Sequence, residues 1–197
     1  MTNLQNKIIL ITGAGKGRGR LLAKALAERG AQVAANDISP INLDSLIEES
    51  NGTIKAYVED VAKKVGAQRL INQVEEDFGR IDVLINHAAV QPNVALLAMD
   101  EWDWHRVLDV NLTGAFLMMQ SVGRVLQSQG SGVVINLVTD SVRDERKEAA
   151  FVASMAGLRA LSEQAARELS PFGVKVHTMN DSGDTIVEKV LAVLEAQ

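Results

Sequence analysis

The run Ile8-Ile9-Leu10-Ile11-Thr12 passes directly into Gly13-Ala14-Gly15-Lys16-Gly17-Arg18-Gly19-Arg20 and resumes as an apolar, helix-forming segment from Leu21 to Arg29. A buried strand, a glycine turn and a helix in immediate succession predict a β–α unit, with a crevice where the strand ends. Glycines at 13, 17 and 19 allow positive φ and close approach of the backbone to a ligand, while the helix start offers free N–H groups and the positive end of its dipole. The group expected there is a pyrophosphate. Taken alone, the same turn also suits a tight strand-to-helix connection that binds nothing.

A second apolar strand, Gln32-Val33-Ala34-Ala35, leads to Asp37. That acid stands about 20 residues beyond Gly17, where dinucleotide-binding units set a carboxylate against the adenosine ribose hydroxyls. The glycine spacing is Thr-Gly-x-x-x-Gly-x-Gly, wider than the six-residue dinucleotide fingerprint, and it resembles the short-chain dehydrogenase/reductase family. The resemblance implies a doubly wound Rossmann fold with a mostly parallel six-stranded sheet and helices on both faces. It also implies a dinucleotide held by Gly13, Lys16, Gly17, Arg18, Gly19 and Asp37. With Asp37 at the ribose, NAD is expected over NADP, although Lys16 argues weakly the other way.

The composition supports one sizeable core: 197 residues, 47% hydrophobic, mean hydropathy near zero. A single domain over 1–197 is expected. The formal charge of −5 gives no electrostatic reason to bind nucleic acid or anionic membranes, so the basic cluster Lys16, Arg18, Arg20 is assigned to phosphate. There is no cysteine, no metal-ligand set is read, and the N terminus enters the first strand without a signal-like apolar region. A cytoplasmic protein is expected. No apolar run approaches the roughly 20 residues needed to span a bilayer.

Further along, Asn42 to Ser50 reads as a helix stopped by Asn51-Gly52, and Ile54 to Val58 as the third strand. The resemblance places Asp60 and Val61, which follow it, beside the adenine ring; an acidic strand end or helix cap is the alternative. Val65 to Phe78 reads as an amphipathic helix ended by Gly79, and Ile81 to Ile85 as a fourth strand buried on both faces. It runs into Asn86-His87-Ala88-Ala89, similar to the family's Asn-Asn-Ala-Gly element. Asn86 is expected to stabilise the central sheet near the cofactor and Ala88 to lie by the nicotinamide ribose. His87 is either catalytic or, more commonly for such a residue, a hydrogen-bonded loop histidine.

One long helix is expected from Asp100 to about Gln127, apolar over more than one stripe. Its surplus either packs on its own sheet or, as in the family, joins the helix at 149–169 in a homodimer or homotetramer interface. Asn111-Leu112-Thr113-Gly114 matches the family's Asn-x-x-Gly. Asn111 is thus a candidate to hold a proton-relay water, or an ordinary buried asparagine. The fifth strand, Val133 to Val138, ends at Thr139, Asp140 and Ser141. A helix from Ala149 to Leu169, a sixth strand from Gly173 to Met179 and a final helix opened by a capping-box pattern at Thr185 to Glu188 complete the chain.

The family transfers hydride with a serine at the end of the fifth strand and a Tyr-x-x-x-Lys pair on the next helix. Residues four apart share a helix face, so the ammonium lowers the tyrosine pKa and grips the nicotinamide ribose. In this chain the aligned residues are Phe151 and Met155, with flanking Ala153-Ser154-x-Ala156-Gly157 in register. Neither carries a titratable proton or a charge. Lys147 precedes Phe151 by four residues instead of following it, and the only tyrosine is Tyr57. Thr139 keeps a hydroxyl at the serine position, with Ser141 nearby. The segment after residue 179 leaves too little chain for a substrate lid and a seventh strand. Three readings follow: a dinucleotide-binding protein with lost or severely impaired catalysis; an active NAD-dependent oxidoreductase of unknown small substrate that draws its proton from Thr139, Asp140, Ser141 or a water on Asn111; or a decayed product without function.

Overall fold

Six strands form one sheet in the order β3-β2-β1-β4-β5-β6, every neighbouring pair parallel. They are β1 Ile8–Thr12, β2 Gln32–Asp37, β3 Ile54–Val58, β4 Val83–Asn86, β5 Gly132–Val138 and β6 Val174–Asn180. The helices are α1 Gly17–Ala27, α2 Pro40–Glu48, α3 Lys64–Phe78, α4 Glu101–Leu108, α5 Ala115–Gln129, α6 Ala149–Leu169 and α7 Ile186–Glu195. This is a computed structural model, and it describes residues 4–50, 52–139, 148–180 and 185–196. The chain winds outward from β1 to β3, then crosses back to β4 on the other side of β1. The strand order therefore reverses between β1 and β4, which opens a crevice at their carboxyl ends.

All five residues of β1 are buried, as a strand covered on both faces must be. Ile9 and Ile11 face a core layer completed by Leu22 and Leu26 of α1, Leu43 and Leu46 of α2, and Ile186, Val190 and Leu191 of α7. Ile8 and Leu10 face the opposite layer, with Leu70, Ile71 and Val74 of α3, Met118, Val122 and Leu126 of α5, and Phe151, Met155 and Leu158 of α6. Each fully buried leucine or isoleucine contributes about 1.5–3 kcal/mol relative to exposure. At the amino end of the sheet the buried Asp82 accepts from Ile8 N at 2.8 Å and from the Arg80 guanidinium, locking β1 and β4 in register.

Three expectations are corrected. The helix read as continuous from Asp100 to Gln127 is α4 and α5 joined by a π-helical segment, Asp109–Gly114. Within it lies Asn111, whose amide is tied to Val90 in the loop after β4. A local π-helical turn is a common feature beside functional sites. Arg20, assigned to phosphate with Lys16 and Arg18, instead donates to Asn42 O, Ser45 O and Oγ and Glu49 Oε1, and so cross-braces α1 to α2. The capping box at Thr185 is absent: φ −93° and ψ 10° lie outside the extended cap geometry, and its hydroxyl makes no cap bond.

Candidate functional site

The glycine turn closes over the β1–β4 crevice by direct backbone packing. Gly13 has φ +67°, and a Cβ there would lie 2.8 Å from Ala88 Cα. A Cβ on Gly19 would strike Gly13 O and the His87 ring. Gly17, with φ +56°, starts α1 with nothing within 4 Å of the Cβ direction, so the helix N terminus meets open space. The first turn of α1 holds no acidic residue, and Lys16 gives it no side-chain cap. Its N–H groups and dipole are thus available to an anion.

Asp37, 8% exposed, ends β2 under this turn. Its Oδ2 accepts from Gly15 N at 3.0 Å and its Oδ1 from Ser39 N at 3.0 Å. The carboxylate is therefore aimed by the backbone, and Gly15 is required because a Cβ would lie 2.8 Å from Asp37 Oδ2. Thr12 Oγ1 accepts from His87 N at 3.1 Å and Ala88 N at 3.2 Å, which ties the end of β1 to the loop after β4. Neither Gly15 nor Thr12 was singled out from sequence. Thr12 could have been, since a hydroxyl oxygen at a buried strand end can accept from the N–H groups of an adjoining loop. His87 Nδ1 lies 3.2 Å from Gly13 O.

Next to the turn lies a cleft of about 450 Å³, within the range of small-molecule sites. Gly13, Lys16, Asp37, Asp60, His87 and Ala88 line it, and so do Trp102 and Arg106 from α4. Asp60 Oδ1 accepts from Ala62 N at 3.0 Å, while Val61 is buried beside the π-helical segment. Arg18 is half-buried on the first turn of α1.

Behind the cleft runs a buried polar chain. Asn86 Nδ2 donates to Asn136 Oδ1 at 2.8 Å, and Asn136 Nδ2 donates to Ser162 Oγ at 2.8 Å, so β4, β5 and α6 are stitched together. Asn111 Oδ1 accepts from Val90 N at 2.8 Å, and its Nδ2 donates to Val90 O at 3.0 Å and Ser154 Oγ at 3.1 Å. All of the side chain's usual partners are thus protein groups. Asn86, whose Oδ1 has no partner among the described residues, lines a cavity of about 10 Å³ together with Thr12, Asn111 and Met155. That is room for about one water.

Phe151 and Met155 are 5% and 6% exposed and belong to the α3–α5–α6 core layer. Thr139 is half-buried just beyond β5 and lines neither the cleft nor the small cavity. Asp140, Ser141 and Lys147 lie outside the described residues. Sequence reading passed over Glu148, 2% exposed at the start of α6, whose Oε1 accepts from Gln91 Nε2 at 2.8 Å. Its signal was an acid placed directly before the apolar helix, at the end of a charged stretch.

A parallel doubly wound sheet with a glycine-walled cleft at its switch point defines a Rossmann-type ligand-binding fold. The chain belongs to the short-chain dehydrogenase/reductase family: the family model described as short chain dehydrogenase matches residues 7–183. It is 33% identical to a 3-oxoacyl-[acyl-carrier-protein] reductase of Thermotoga maritima, over 89% of this chain and 73% of that protein. To a D-threitol dehydrogenase of Mycolicibacterium smegmatis it is 32% identical, over 90% of this chain and 70% of the relative. Among solved structures it superposes on an NAD+-bound xylitol dehydrogenase with a TM-score of 0.86 and 27% identity, covering 100% of this chain and 79% of the other. No described helix is long and apolar enough to cross a membrane.

Proposed function

We propose that this chain is an NAD(H)-binding member of its family in which hydride transfer is lost or severely impaired, acting as a nucleotide-binding or interaction protein. One observation carries the reading: the cleft keeps its glycine walls and aimed carboxylate, while the two chemical positions of α6 are the buried apolar side chains Phe151 and Met155. The cleft suits a dinucleotide. The start of α1 with Gly13, Gly17 and Gly19 would receive the pyrophosphate, with Lys16 and Arg18 alongside. Asp37 would accept from the ribose diol and repel a 2′-phosphate, Asp60 and Val61 would border the adenine, and Asn86 and Ala88 would lie toward the nicotinamide.

A bound nicotinamide supplies or accepts hydride; the chain must then move a proton at the substrate oxygen. Phe151 has none to give, and Met155 offers neither a charge to tune an acid nor a donor to hold a ribose. Removing a positioned general acid costs about 10²- to 10⁴-fold in rate. Titration with NADH and NADPH, followed by fluorescence, tests the retained half; tighter binding of NADPH than NADH would overturn the NAD assignment. A panel of ketones and alcohols, followed through NADH absorbance, tests the lost half, and robust turnover would sink it.

A second reading, an active oxidoreductase of a small alcohol or ketone, is favoured by Glu148. It is a buried acid at the head of α6, joined to Gln91 of the loop after β4. In that case turnover is present in the native chain and falls in Glu148→Gln, with Thr139 and the Asn111 region contributing to the proton path. In either reading residues 1–197 fold as one domain, the protein acts in the cytoplasm, and it self-associates through α5 and α6.

A further inference from the structure

The cleft has two walls of different origin. One is the glycine turn with Asp37 and Ile38; the other is α4, which contributes Trp102, His105 and Arg106. Trp102 stands in the first turn of α4, which Asp100 starts by accepting from Asp103 N at 2.7 Å. The indole is 64% exposed, and Ile38, which lines the same cleft, is 68% exposed. Both are large apolar side chains left in water, which folding alone does not favour. The Arg106 guanidinium lies 5.2 Å from the Trp102 ring centroid, so one face of the indole is held by a cation. The rest of the lining balances its charges: Lys16, Lys63 and Arg106 against Asp37, Asp60 and Asp109. That balance does not favour a long polyanion. It suits a ligand with a flat, uncharged, heteroaromatic end carrying polar edges, set between two apolar lips.

Resting on the dinucleotide reading above, we infer that Trp102, braced by Arg106, is a contact for the adenine base and forms the outer wall of the adenosine end of the cleft. The ring buries apolar area that the free protein leaves exposed. The Arg106 contact limits the rotamers the indole must give up on binding, so less entropy is lost. Trp104, two residues on, is only half-buried and does not line the cleft, which separates the roles of the two tryptophans.

The test measures ADP-ribose, NADH and nicotinamide mononucleotide binding by calorimetry for the native chain, Trp102→Ala and Trp102→Phe. Base stacking on an aromatic side chain predicts that Trp102→Ala weakens ADP-ribose and NADH alike, by about tenfold, while Trp102→Phe recovers most of the loss. Nicotinamide mononucleotide, which lacks the base, binds both variants as it binds the native chain. Because the side chain is largely exposed, the thermal midpoint of Trp102→Ala stays at the native value, which excludes a folding defect. Unchanged ADP-ribose affinity in Trp102→Ala overturns the inference and leaves the dinucleotide reading standing. Failure of the native chain to bind ADP-ribose or NADH at all removes that reading and this inference with it.

Discussion

Phenylalanine differs from tyrosine by one oxygen, yet at position 151 the surroundings matter as much as the atom. The ring is 5% exposed in the layer that also holds Leu158, Met118 and Val138. A hydroxyl added there enters an apolar environment, and a lysine at 155 brings a charge beside the same layer; burying either without a partner costs about 1–3 kcal/mol or more. The double variant Phe151→Tyr, Met155→Lys is therefore expected to recover at most a trace of ketone reduction and to unfold at lower denaturant than the native chain, measured by NADH absorbance and urea titration. Turnover well above background would show that the scaffold still presents the site. Asp37 gives the complementary experiment. Asp37→Ala removes the acceptor of Gly15 N and Ser39 N along with the proposed ribose contact, so NADH affinity and stability are expected to fall together and the proposed preference for NADH over NADPH to relax. Equal NADH affinity in this variant would mean that the carboxylate does not meet the ribose.

Among the elements, β6 and α7 form the part of the molecule where pH should register. His177 sits on β6 opposite Ile135, with Lys175 two residues before it on the same face and Met179 after it, the latter packed into the α1–α7 layer. Burial lowers the His177 pKa first, and the Lys175 charge lowers it further; its Nε2 has no partner among the described residues. A histidine whose folded pKa lies below its ordinary 6.5 binds fewer protons folded than unfolded. Stability is then complete above that ordinary value and declines as pH falls through it toward the lower folded pKa. Thermal midpoints should drop from neutral to mildly acidic pH, and His177→Gln should flatten this dependence. A dependence of unchanged slope in the variant would assign the effect to other groups. The π-helical segment makes a related point: Asn111 spends its whole amide on Val90 and Ser154, so the segment anchors the cleft floor to α6.

At the scale of the whole molecule, α5 and α6 together present a partly apolar outer surface. A groove of about 270 Å³ runs between them, lined by Phe116, Met119, Gly123, Leu161, Ala165 and Leu169 with polar residues at its rim, and Phe116 is 40% exposed. Self-association through this surface is the expectation carried from the sequence. Light scattering after size exclusion should report a dimer or tetramer, and Phe116→Glu should shift it toward monomer by placing a charge in an apolar contact. A native monomer at micromolar concentration would exclude this interface.

Much of the fold was readable because its signals are local. Apolar runs such as Ile8–Ile11 and Val133–Val138, a helix-long stretch from Ala149 to Leu169 and the glycines between a strand and a helix each declare themselves within a dozen residues. Residue identity alone also reveals that positions 151 and 155 hold no acid and no ammonium. What could not be read depends on partners far apart in the chain. Arg20 looks like a phosphate ligand until α2, more than 20 residues on, supplies its acceptors. The break at Asp109–Gly114 looks like plain helix until Val90 claims the Asn111 amide, and the cleft gains Trp102 and Arg106 only when α4 folds back beside Asp37 and Asp60. Periodicity and turn chemistry are set by neighbours along the chain, whereas a polar group's partner and a cleft's wall are set by which distant segments the sheet order brings together.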